Sequence, residues 1–95
     1  MNTIAERVAA GAALFDDREP GWYRRRDLAR LDIMSCCDCV VGQRHGTYGA
    51  GLIALGITEK GRDVELGFHW GPRFEDIDAL NIAWRALITE RRSAP

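Results

Sequence analysis

Asp76-Ile77-Asp78-Ala79-Leu80-Asn81-Ile82-Ala83-Trp84-Arg85-Ala86-Leu87-Ile88-Thr89-Glu90-Arg91-Arg92 is the stretch on which the fold turns. Ile77, Leu80, Trp84, Leu87 and Ile88 recur at three- and four-residue intervals, so they form one apolar stripe that Ala83 joins. Carboxylates open the stretch and Arg91 and Arg92 close it, which suits the partial charges at the two ends of a helix. The pattern predicts a long helix starting at Asp76 or Asp78, with residues 90–95 fraying. An amphipathic helix of this kind needs a second apolar surface to cover its stripe, and the rest of the chain is read for that surface.

The amino-terminal segment carries a helical pattern of its own. Thr3 and Glu6 have the spacing of a capping box, in which the threonine oxygen takes an orphan amide and the glutamate reaches back. Ile4, Val8, Ala12 and Phe15 follow near helical spacing, predicting a helix over residues 3–16. Gly11 inside it costs about 1 kcal/mol of helix propensity relative to alanine unless it marks a close backbone approach. Pro20-Gly21 makes a turn.

Between the two helices the sequence is less regular. Trp22-Tyr23-Arg24-Arg25-Arg26 leads into Leu28, Leu31 and Ile33, readable as a short helical piece or an irregular wrap. Ser35 or Asp38 can cap a helix beginning near Cys36 or Cys39 and running through Gln43. Residues 47–56 read as a further helix, with Tyr48, Leu52 and Leu55 on one side and Gly56 at its end. Residues 62–68 lean towards a short helix or irregular chain, and His69-Trp70-Gly71-Pro72 is a loop whose tryptophan covers the core edge. The expected fold is mainly α: a compact bundle of three to four helices with irregular connectors, in a single domain spanning residues 1–95.

Composition bounds the function. A chain of 95 residues with 46% hydrophobic and 28% charged side chains folds rather than staying disordered. Its formal net charge of -1 offers no global field for nucleic acid. No apolar run reaches membrane-spanning length, and the first residues lack the basic-then-apolar order of a signal peptide. A cytoplasmic location with reduced thiols is expected, and three cysteines, an odd number, argue against a disulfide framework.

Cys36, Cys37, Cys39 and His45 carry the densest metal-ligating chemistry. Zinc sites bring ligands in pairs separated by two or more residues. Here Cys36 and Cys37 are adjacent, while Cys36 and Cys39 have two residues between them, the spacing of a redox pair. Small buried side chains at a helix contact are the plainer alternative. The glycines lack the leading strand and lysine of a phosphate loop. Trp22, Tyr23, Arg24, Arg25, Arg26 and Trp70 belong to the residue types that anchor protein interfaces, and the arginine run with its aromatic neighbours is also the material of a nucleic-acid patch.

Trp22, Leu31-Asp32, Ser35-Cys36-Cys37-Asp38-Cys39-Val40-Val41-Gly42-Gln43, Tyr48, Gly51-Leu52 and Leu55-Gly56, with Ala83-Trp84-Arg85-Ala86-Leu87-Ile88 and Arg91-Arg92, resemble a group of small proteins of actinobacteria and their phages, the mycobacteriophages among them. That resemblance covers most of the chain, implies no catalytic residue, and implies an accessory role in binding host or viral machinery inside the host cell. The leading expectation is a non-enzymatic protein that binds a protein partner, without a cofactor and with homodimerisation open. The alternatives are a zinc- or thiol-dependent module at the cysteine cluster and a nucleic-acid binder using Arg24 to Arg26.

Overall fold

In the computed structural model, residues 2–94 are described, and two helices carry the frame: α1 (Ile4–Arg18) and α5 (Asp76–Ser93). The capping box forms: the Thr3 amide donates to Glu6 Oε1 at 3.0 Å and the Glu6 amide donates to Thr3 Oγ1 at 3.1 Å. Val8, Ala12 and Phe15 of α1 are buried with Leu80, Trp84 and Ile88 of α5, so the two apolar stripes find each other. Between them lie α2 (Gly42–His45), α3 (Tyr48–Ala54) and α4 (Arg62–Glu65), with a 3₁₀ turn at Trp22–Arg25. The described residues hold no strand. The fold is mainly α, as expected, with one seven-residue helix and two single turns completing the two long ones.

Phe15, Trp22, Phe68 and Trp84 meet at the centre, with ring centroids between 4.9 and 6.1 Å apart in tilted, edge-on and stacked pairs. Edge-on and offset contacts are the arrangements aromatic quadrupoles favour. Gly11 is what lets this centre close. A Cβ built there would lie 2.1 Å from the Leu66 carbonyl oxygen and 3.0 Å from the Trp84 ring. The backbone approach is secured by the Trp84 indole, which donates to the Gly67 carbonyl at 2.7 Å. The radius of gyration, 12.1 Å, is close to the value of about 12.4 Å expected for a folded chain of this length.

The connector from Arg26 to Val41 forms no α-helix. Its backbone groups are held by side chains instead, as buried polar groups must find partners. Asn81 Oδ1 accepts from the Ile33 amide at 2.8 Å, Arg85 donates to the carbonyls of Leu28 and Leu31, and Arg92 donates to those of Tyr23 and Arg26. These three residues lie along one side of α5, so its polar face works as a strap over the connector. Gln43 adds a second clamp, accepting from the Asp27 amide and donating to the Asp27 and Asp38 carbonyls.

Two expectations are corrected here. A helix over residues 36–43 does not form: residues 36–41 make turns and only Gly42–His45 is helical, because Ser35 Oγ caps a local turn by accepting from the Cys37 and Asp38 amides. Residues 90–93 do not fray. The helix continues to Ser93 because Arg91 makes a two-pronged contact with Asp16 at 2.8 and 3.1 Å and Arg92 binds the connector. Pro95 lies outside the described residues.

Candidate functional site

The tryptophan and arginine residues expected at the surface divide sharply. Trp22 is 0% exposed, and its indole N–H donates to Asp16 Oδ1 at 2.9 Å. Arg26 is also buried: its guanidinium lies over the Phe15 and Trp22 rings, grips both Glu19 carboxylate oxygens at 3.0 and 3.1 Å, and donates through Nε to the Val40 carbonyl at 2.7 Å. Neither residue can anchor a partner, which corrects their assignment to an interaction surface. The reason is geometric. The 3₁₀ turn folds Trp22 back onto Phe15, and Arg26 then satisfies the carbonyls that the connector leaves without helical partners.

Tyr23 is half-buried, with Arg24 over its ring, while Arg24 and Arg25 are exposed. Glu19 gathers the arginines: Arg26 at 3.0 Å, Arg44 at 3.5 Å and Arg25 at 3.9 Å. Burial works to raise the Glu19 carboxyl, but the Arg26 hydrogen bonds and charge, with Arg44, overcome it and hold the group below its ordinary value. Arg30 pairs with Asp38 at 2.8 Å. Much of the positive charge that suggested a nucleic-acid patch is therefore balanced locally.

The four residues proposed as metal ligands do not converge. Cys39 is buried, its sulfur accepting from the Gly42 amide at 3.2 Å, and burial pushes its thiol up. Cys36 and Cys37 are exposed, with their sulfurs 3.2 Å apart. His45 lies on α2 in a different crevice, with Arg18, Glu19 and Arg44, where burial first and the Arg44 charge second hold its imidazole below the usual value. Among the described residues no group of three or more histidine, cysteine, aspartate or glutamate side chains is placed to hold a metal ion. A Cys36, Cys37, Cys39, His45 zinc centre is therefore not assembled.

Trp70, half-buried, is the expected interaction residue that borders crevices. It stacks on His69 at 4.0 Å and 17°, and His69 Nδ1 accepts from the Gly71 amide at 2.9 Å, fixing the loop. On one side Trp70 walls a crevice of about 500 Å³ with Val64, Pro72, Arg73 and Asp76. On the other it walls a smaller one of about 190 Å³ with Ile33, Met34, Cys36, Tyr48 and His69. Phe74, 70% exposed, lies 6.2 Å from Trp70, and Met34 is 59% exposed at the edge of the smaller crevice. Beneath them Arg7 is buried and ties the loop down, donating to the carbonyls of Val64 at 2.9 Å and His69 at 3.1 Å and facing Asp76 at 3.5 Å.

Sequence reasoning passed over Arg7, Met34 and Phe74. Arg7 carried a legible signal, since it lies four residues before Gly11 on the inward side of α1. Met34 and Phe74 carried none, because neither belongs to a periodic pattern. No protein-family model, curated protein or solved structure matches the chain.

Proposed function

We propose that this chain is a non-enzymatic accessory protein that binds another protein through a surface of tryptophan and arginine, and that this surface is the Trp70 face with Phe74, Met34 and Arg73. The observation that carries the reading is the placing of Trp70 between two crevices, beside a phenylalanine that is 70% exposed. Isolated exposed apolar residues are ordinary, but a grouped set beside a crevice marks an interaction site. Arg73, paired with Glu75 at 3.4 Å and Asp76 at 3.3 Å, supplies a polar rim of the kind that surrounds such anchors.

That the partner is a host or viral protein in the cytoplasm rests on the resemblance to small proteins of actinobacteria and their phages. No helix among the described residues is long and apolar enough to cross a membrane. Purification of the tagged chain from an actinobacterial host, followed by reconstitution with the recovered protein, tests the reading. Phe74→Ala and Trp70→Ala should each weaken the reconstituted complex by at least about 30-fold, the effect of losing an interface anchor worth about 2 kcal/mol. Undiminished binding by both variants, with circular dichroism unchanged, would remove the Trp70 face from consideration. Sedimentation at several concentrations separates a second copy of the chain from a different partner.

A second reading has one specific observation behind it, the close pair of exposed sulfurs at Cys36 and Cys37. It favours the thiol form of the cysteine-centred alternative over the zinc form.

A further inference from the structure

Adjacent side chains in extended chain point to opposite faces, yet Cys36 and Cys37 bring their sulfurs to 3.2 Å. The turn that does this is held from several sides. Ser35 Oγ accepts from the Cys37 and Asp38 amides at 3.3 and 3.1 Å, and the Ser35 carbonyl accepts from the Cys39 amide at 3.1 Å. The Cys36 carbonyl presses against Gly42, where a built Cβ would lie 2.1 Å from its oxygen. Both thiols are exposed, and the two residues border different crevices. Cys36 borders the apolar crevice of Met34, Tyr48, His69 and Trp70, and Cys37 borders a polar one of about 370 Å³ with Arg25, Arg30 and Gln43.

Thiolates and thiols select soft centres, and the separation of the two sulfurs narrows the choice. Tetrahedral zinc, with Zn–S near 2.3 Å, holds two sulfurs about 3.7–3.8 Å apart and needs two further ligands. A linear two-coordinate ion needs a wider span still. A pyramidal trivalent arsenic centre, whose bond angles lie near a right angle, takes two sulfurs at a close bite and needs only one other substituent.

We propose that Cys36 and Cys37 form a chelating dithiol site for a monosubstituted trivalent arsenical, with its organic substituent, best an aromatic ring, in the Trp70 crevice. The reaction balances without an oxidant or reductant. Each thiol proton passes to one arsenic-bound hydroxyl, two waters leave, and two As–O bonds are replaced by two As–S bonds. The Cys37 thiol is pushed up by its hydrogen bond with Cys36 and then by the neighbouring charge. The site is independent of the protein-binding reading, although Trp70 borders both.

The test uses the folded full chain with phenylarsine oxide and methylarsonous acid as probes, in excess monothiol, read by intact mass and by competition with a small dithiol. One arsenical per chain is expected. Cys36→Ser and Cys37→Ser should each lower retention by at least about tenfold, because chelation makes the second bond intramolecular. Cys39→Ser should leave retention unchanged. The phenyl probe should be favoured over the methyl probe by about tenfold more than with the free dithiol, as expected for partial burial of a ring. Trp70→Ala should remove that preference and Met34→Gln should reduce it, with methyl binding retained in both. Retention in either single serine variant, loss in Cys39→Ser, or a phenyl preference that survives in denaturant or in Trp70→Ala would overturn the proposal.

Discussion

Gly11→Ala reverses the sign that helix propensity alone assigns. In an exposed helix the change stabilises by about 1 kcal/mol. At Gly11 the new Cβ would lie 2.1 Å from the Leu66 carbonyl oxygen, more than an ångström inside ordinary contact, and 3.0 Å from both the Phe68 and Trp84 rings. The obstructing atom is backbone, so it cannot swing aside as the end of a side chain can. Relief requires moving residues 66–67 or tilting α1 off α5, and either movement stretches the 2.7 Å bond from the Trp84 indole to the Gly67 carbonyl. Overpacking costs about 1–3 kcal/mol, and disturbing a buried hydrogen bond about 1–3 kcal/mol more. Subtracting the propensity gain leaves a net loss of about 1–5 kcal/mol. For a domain of this size the loss lowers the melting temperature by roughly 5–25 °C. Urea and thermal unfolding followed by circular dichroism measure it, with Gly49→Ala as the internal standard. Gly49 is helical, with nothing within 4 Å of a built Cβ, so its alanine variant should gain about 0.5–1 kcal/mol. A Gly11→Ala protein as stable as the parent would refute the packing of α1 on residues 66–68.

Arg85→Ala should destabilise by about 1–3 kcal/mol, since the carbonyls of Leu28 and Leu31 lose their donor. Amide exchange should quicken at Ile33 and its neighbours before it does in α1. The acid limb of stability should depend on Glu19: its carboxyl is depressed in the folded chain, so its contribution is present above the ordinary value of 4.5 and is lost as pH falls below it through the folded value. Glu19→Gln should flatten that limb in pH-dependent melts, and an unchanged slope would contradict the Arg26 pairing. A chelator should leave the melting temperature unchanged, as Cys39 is buried and His45 lies in a crevice apart from the Cys36–Cys37 pair, so that no three of them meet; a fall of several degrees would show a bound ion stabilising the fold.

The long elements were legible because each carries its own physical signature. The Thr3 and Glu6 box, the stripe from Ile77 to Ile88 and the oppositely charged ends of the last helix are local patterns, and local patterns form where they are written. Residues 26–41 were not legible, because their backbone is satisfied by Asn81, Arg85 and Arg92 from far along the chain. Such bonds leave no periodicity in the segment that receives them. The cysteines failed for a related reason. Ser35 looked like the cap of a helix, and its hydroxyl does cap a turn, but the chain leaves helical geometry until Gly42. One cysteine is consequently buried and two are exposed.

The fate of the arginine run explains where function is best sought. Arg24 and Arg25 lie within the 3₁₀ turn and face solvent, whereas the backbone becomes extended at Arg26, with φ −102° and ψ 132°, and the third arginine lies inward. A buried guanidinium needs an acidic partner and well-placed acceptors, since its desolvation is otherwise unrecovered. Glu19, Val40 and Trp22 supply them. Arg7 and Arg85 serve the same purpose elsewhere, joining loops and connector to the two long helices. Arginine thus does in this chain what backbone pairing does in a more regular fold, and a count of arginines overstates the charge available to a partner. Arg73 differs. It lies exposed beside Trp70 and Phe74, its ion pairs among the described residues being with Glu75 and Asp76, so a partner that offers its own carboxylate there can exchange those pairs without disturbing the core. On that reasoning the charge that accompanies the Trp70 face in recognition is Arg73, and neutralising it should slow association in a salt-dependent way while leaving stability unchanged.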